Sequence, residues 1–71
     1  MQFFFHVVGG GIDYEDDSGE DFPSVETAIV YAFRIAAELG ADDPNYQWHA
    51  VKVIGEGGNE VARVPIKGSR A

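Results

Sequence analysis

The stretch Ser24 to Leu39, SVETAIVYAFRIAAEL, decides the fold. At about 100° per residue, Ile35, Ala28, Leu39, Ala32, Val25, Ala36, Ile29 and Phe33 fall on one continuous arc. Thr27, Arg34, Glu38 and Tyr31 fall opposite. So wide an apolar stripe belongs to a helix lying on a core, not to a coiled-coil seam. Ser24 is placed to cap the first turn, and Glu26 suits the positive end of the helix dipole. Gly40 reads as a left-handed C-cap, and Pro44 blocks resumption of the helix.

The chain has 71 residues, enough for one domain spanning 1–71. A chain this short buries only about 60% of its unfolded surface, so oligomerisation is a natural source of added stability. There is no cysteine, which removes disulfides and zinc–thiolate sites. Twelve acidic residues against five basic ones give a net charge of −7, which repels nucleic-acid phosphate and anionic membrane. The run FFFHVV is too short to span a bilayer and carries no basic flank or cleavage site. A cytoplasmic location is the expectation.

Outward from the helix, Gln2 to Val8 reads as an aromatic and β-branched strand ending at Gly9-Gly10-Gly11. Phe3, Phe5 and Val7 form its uninterrupted apolar parity and are turned toward the helix; Phe4, His6 and Val8 face outward. Ile12 and Tyr14 sit at period two, so Gly11 to Tyr14 offers a short strand paired back on the first. Glu15 to Asp21 reads as a solvated, extended acidic loop, with Phe22 anchoring its end. Ala41 to Asn45 is a connection.

Tyr46 to Ile54 reads as the next strand, with His49, Val51 and Val53 inward and Trp48, Ala50, Lys52 and Ile54 outward. Gly55 to Asn59 is a hairpin loop expected to use several positive φ values. Glu60 to Ile66 returns with Ala62, Val64 and Ile66 inward and Val61, Arg63 and Pro65 outward. Pro65 makes it an edge strand or ends it. A polar tail follows, with fraying expected over 66–71. The expected fold is α+β: one helix packed on a three- or four-stranded, mainly antiparallel sheet, in the order β-(β)-α-β-β.

Several residues carry a family resemblance. They are the opening strand Phe3-Phe4-Phe5-His6-Val7, the element Asp16-Asp17-Ser18-Gly19, and the helix alanines Ala28, Ala32, Ala36 and Ala37. Trp48, Gly58 and Val64-Pro65-Ile66 complete the set. The chain resembles a family of short, uncharacterised alphaproteobacterial proteins classed as a domain of unknown function. It departs at Ile66, where the family usually has an aromatic, and at Gly55 and Gly57, where acidic residues are common. The resemblance implies this fold and a bacterial source, and brings no activity with it.

Chemistry-bearing constellations are sparse. Asp13, Glu15 and Asp17 alternate like the first ligands of an EF-hand loop, but Ser18 and Ser24 stand where glycine and the bidentate glutamate are required. His6 and His49 face opposite sides of the sheet under the parities above. Ser24 is used as a cap, and no Ser or Thr has a histidine nearby in sequence. Gly9-Gly10-Gly11 does not open a helix, so it is not a phosphate cradle. No catalytic residue, metal or cofactor is assigned.

The aromatics give the sharper expectation. Phe4, Val8, Trp48, Ala50 and Ile54 share the sheet face away from the helix, an apolar patch of the kind that marks an interface. The competing expectation is that the acidic loop, or the stems of Lys52 and Arg63, covers that face within one chain. The function expected is therefore a non-catalytic protein-interaction module, as a homodimer or with a protein partner. The alternatives are an acidic regulator docking on a basic partner through Asp13, Glu15, Asp16 and Asp17, and a weak divalent-metal domain using the same loop.

Overall fold

The computed structural model describes residues 1–9, 13–43, 46 and 48–66. Five elements follow one another: β1 (Gln2–Val8), β2 (Glu20–Asp21), α1 (Val25–Asp42), β3 (Ala50–Ile54) and β4 (Glu60–Pro65). The strands form one antiparallel sheet in the order β2-β1-β3-β4, and α1 covers one face. This is the α+β fold expected from the helix periodicity, with four strands.

The helix start is set by a reciprocal capping box. Ser24 Oγ accepts from the Thr27 N–H, and Thr27 Oγ1 accepts from the Ser24 N–H, both at 3.2 Å. Two first-turn donors are thereby satisfied. The helix does not stop at Gly40. It continues to Asp42, and the Asp43 N–H closes it on the Leu39 carbonyl at 3.0 Å. Gly40 is not a left-handed cap because it extends a buried small-residue series, Ala28, Ala32, Ala36 and Gly40, spaced by four.

That series sets the packing. Small side chains let α1 sit close on the sheet, mainly over β3 and β4, where Val51, Val53, Val64 and Ile66 complete the core. The space left over β1 is filled by aromatic rings. Phe22 lies 5.7 Å from Phe5 and 6.3 Å from Phe3, and Tyr31 lies 5.2 Å from both Phe5 and Phe22. Two assignments from the helical arc are corrected here. Tyr31, placed opposite the apolar arc, is packed; Phe33, placed on it, is 59% exposed. Tyr31 packs on Phe5 of β1, and Phe33, about 200° round the helix from it, points away from that cluster.

β1 has the expected bounds and parity, with Phe3 and Phe5 buried and Val7 against the core. Tyr14 does pair back on Val7, but as an isolated bridge; residues 10–12 lie outside the described set. β3 begins only at Ala50. The bonds from Tyr46 N–H to Asp43 O, at 3.1 Å, and from His49 N–H to Tyr46 O, at 2.8 Å, span three residues each and form turns rather than a ladder. In the hairpin only Gly58 has positive φ, at 87°; Gly55 and Gly57 do not. β4 is the edge strand that Pro65 implies.

The ladder shifts between Val53 and Ile54, so that Ala62 and Glu60 are successive partners and Val61 is the extra residue. This bulge turns Val61, expected outward, partly against the core. Ile66 is not frayed: it is 1% exposed, and its N–H reaches the His49 carbonyl at 2.8 Å. Residues 67–71 lie outside the described set.

Ala32→Leu is expected to lower the unfolding free energy by about 1–3 kcal/mol through overpacking, and Phe33→Ser to change it by no more than about 0.5 kcal/mol. Urea denaturation followed by circular dichroism checks both; equal effects would contradict the close helix–sheet contact.

Candidate functional site

The sheet face opposite the helix carries three cross-strand rows. Phe4, Ile54 and Glu60 form the first, His6, Lys52 and Arg63 the second, and Val8, Ala50 and Pro65 the third. An ionic row thus lies between two rows with apolar members. Arg63 holds Glu60 through two bonds of 3.2 Å. This contact draws the Glu60 carboxyl below and the Arg63 guanidinium above their ordinary values. Both groups are exposed, so the pair orients Arg63 more than it stabilises the fold.

Trp48 stands at the third row, 79% exposed, in the turn that precedes β3. Gly9 makes this arrangement possible. Its φ is 123°, and a Cβ there would lie 2.9 Å from the Trp48 carbonyl oxygen. The result is an open groove of about 640 Å³ lined by Val8, Gly9, Asp13, Trp48, Lys52 and Arg63 among others. His49 borders it, its ring edge-on to Tyr46 at 5.3 Å and its Nδ1 buried with no hydrogen-bond partner among the described residues.

The acidic segment is largely exposed, as its charge implies, but it is not a free loop. It is a strap bound along β1. Tyr14 exchanges both backbone hydrogen bonds with Val7, at 2.9 and 2.8 Å. Between that bridge and β2, Asp16 takes the place of a strand. Its Oδ2 accepts from the Phe5 N–H at 3.3 Å, and its Oδ1 accepts from the Ser18 and Gly19 N–H groups at 3.1 Å. Its own N–H donates to His6 Nδ1 at 3.0 Å, which leaves the proton of the neutral ring on Nε2. Gly19, at φ 75°, presses on the Phe4 ring, where a Cβ would lie 2.9 Å from Cε2. Local hydrogen bonds here outweigh like-charge repulsion in water.

Burial would raise the Asp16 carboxyl. The N–H donors of Gly19, Phe5 and Ser18 outweigh it and hold the group below its ordinary 3.8. The fold therefore favours the carboxylate.

The expected interface residues are only partly brought together. Phe4 pairs with Ile54, and Val8 with Ala50. Trp48 joins the Val8–Ala50 end, while the strap half-covers Phe4. Of the acidic set, Asp16 is committed to the strap, and Asp13 Oδ1 accepts from the Gly9 N–H at 3.3 Å. Glu15 and Asp17 are exposed. Among the described residues no group of three or more His, Asp or Glu is placed to hold a metal ion, and no helix is long and apolar enough to cross a membrane. Sequence reasoning missed the role of Asp16, although Asp16-Asp17-Ser18-Gly19 has aspartate first and glycine fourth, a turn signature.

Residues 2–67 match the family described as Domain of unknown function (DUF6894). This chain belongs to that family. The match takes in every element of the DUF6894 fold seen here, from β1 through the strap and helix to β4. No curated protein and no solved structure matches the chain.

Asp16→Asn is expected to cost about 1–2 kcal/mol at pH 7, because a charged acceptor of three N–H groups is lost. A depressed folded pKa gives stability that is complete above 3.8 and lost as pH falls through the lower folded value. Urea unfolding at pH 7 and pH 3 should therefore show the gap between wild type and variant narrowing at the acid end.

Proposed function

We propose that this DUF6894 domain is a non-catalytic protein-interaction module whose working surface is the sheet face opposite α1. The observation that carries the proposal is Trp48, 79% exposed beside a groove on the face the helix leaves open. A large exposed aromatic next to apolar neighbours costs solvation in the free chain and is the residue type most enriched at interface hot spots. Val8, Ala50 and Pro65 extend the apolar area, and Lys52 and Arg63 give it a polar flank.

The non-catalytic part of the reading is supported by how two of the hydroxyls are used. Ser24 and Thr27 are committed to the capping box. The acidic-regulator and divalent-metal alternatives are less well supported, because Asp13 and Asp16 already accept backbone N–H groups. A cytoplasmic, bacterial setting is part of the proposal; the net charge of −7 suits a protein kept in solution.

Crosslinked affinity capture from native lysate, run in parallel with wild type and Trp48→Ser, tests the face. A protein retained by wild type is expected to fall by at least about tenfold with the variant. The helical circular-dichroism signal should be unchanged. Identical capture by both forms would refute the proposal.

A further inference from the structure

Resting on that reading of the sheet face, we infer that its occupant is a second copy of this chain, stacked face to face about a two-fold axis parallel to the strands. The face is divided by charge. On the β1 side runs the strap, with Asp13, Glu15 and Asp17 exposed. On the other side Lys52 and Arg63 stand as cross-strand partners on β3 and β4. An isologous contact needs one surface that carries both halves of the complementarity, and this face does.

The axis follows from where the charges lie. A two-fold parallel to the strands reverses the strand order and preserves height along the strands. The strap of one copy then lies over β3 and β4 of the other. Heights agree as well. Asp16 bonds to His6, so the strap's acidic residues flank the row of His6, Lys52 and Arg63. The rotation therefore brings Glu15 and Asp17 to Lys52 and Arg63, twice by symmetry. A two-fold perpendicular to the strands would set strap against strap and repel. Glu60 occupies part of Arg63, leaving Lys52 and the unused guanidinium donors to receive the partner's carboxylates. Trp48, close to the β1–β3 junction through Gly9, meets its counterpart near the axis.

The size of the face sets the strength. Seven residues of β1 span about 23 Å and four lanes, one of them shared by β2 and the strap, about 15–19 Å, so each copy offers at most roughly 400 Å². With Trp48 added, the total stays at the low end of specific interfaces, which corresponds to a weak, exchanging dimer.

Charge reversal on the full-length chain tests this. One variant is Lys52→Glu with Arg63→Glu; the other is Glu15→Lys with Asp17→Lys. Circular dichroism and thermal unfolding establish that each folds. Sedimentation up to about 1 mM should show wild-type dimer and each variant at least tenfold weaker alone. An equimolar mixture should recover association to within about threefold of wild type, with a blue shift of Trp48 emission. At one contact the introduced lysines then meet the introduced glutamates, and at the other the native Glu15 and Asp17 of one variant meet the native Lys52 and Arg63 of the other. A mixture that stays monomeric, or variants that dimerise like wild type, overturns the arrangement. If Trp48→Ser abolishes dimerisation while the charge variants do not, the face stands and the charge register fails. Wild type monomeric at 1 mM overturns the second copy as occupant, whereas the lysate comparison of Trp48→Ser judges the face by itself.

Discussion

The close approach of α1 to the sheet is the constraint on which the rest depends. Ala28, Ala32, Ala36 and Gly40 leave the helix no bulk on its lowest line, so backbone and β-branched residues of β3 and β4 come into direct contact with it. Larger residues at those positions would lift the helix and open the interior, because cores are packed to crystal-like density. Seating the helix over β3 and β4 leaves β1 uncovered. Phe3, Phe5, Phe22 and Tyr31 close that side as a ring cluster. A small domain thus obtains its core from two materials, aliphatic under the helix and aromatic beside it.

The same economy shapes the strap. β1 would be an exposed edge if β2, which pairs with only Gln2 and Phe3, were its sole neighbour on that side. Tyr14 and Asp16 continue the pairing with one backbone partner and one carboxylate. Edge donors are thereby satisfied and a template for unwanted strand addition is removed. The outer face gains an acidic border from this device, set against the Lys52–Arg63 pair on the far strands. The charge pattern of the face is a by-product of how the edge is closed.

Much of this was legible from residue order. The helix, its Ser24 cap, the parity of β1 and the inward set Val51, Val53, Val64 and Ile66 all follow from periodicities that local sterics enforce. Trp48 was legible as an exposed aromatic, but not its place in a turn: Tyr46 and His49 bond locally, and a residue run rich in β formers does not reveal that. The acidic segment misled for a plain reason. Charge count predicts solvation, which most of the segment keeps, but says nothing of the one aspartate whose three N–H donors, in the first strand as well as in the turn, make it a strap.

By itself the sequence determined the elements, their faces and their antiparallel, helix-covered arrangement, because hydrophobic period and turn chemistry are local properties. Only the tertiary structure decided that Gly40 continues the helix, that Tyr31 is packed and Phe33 is not, and that the strap borders a split-charge face. Each of these depends on what lies across the gap from a side chain, which is a property of the fold and not of the neighbouring residues.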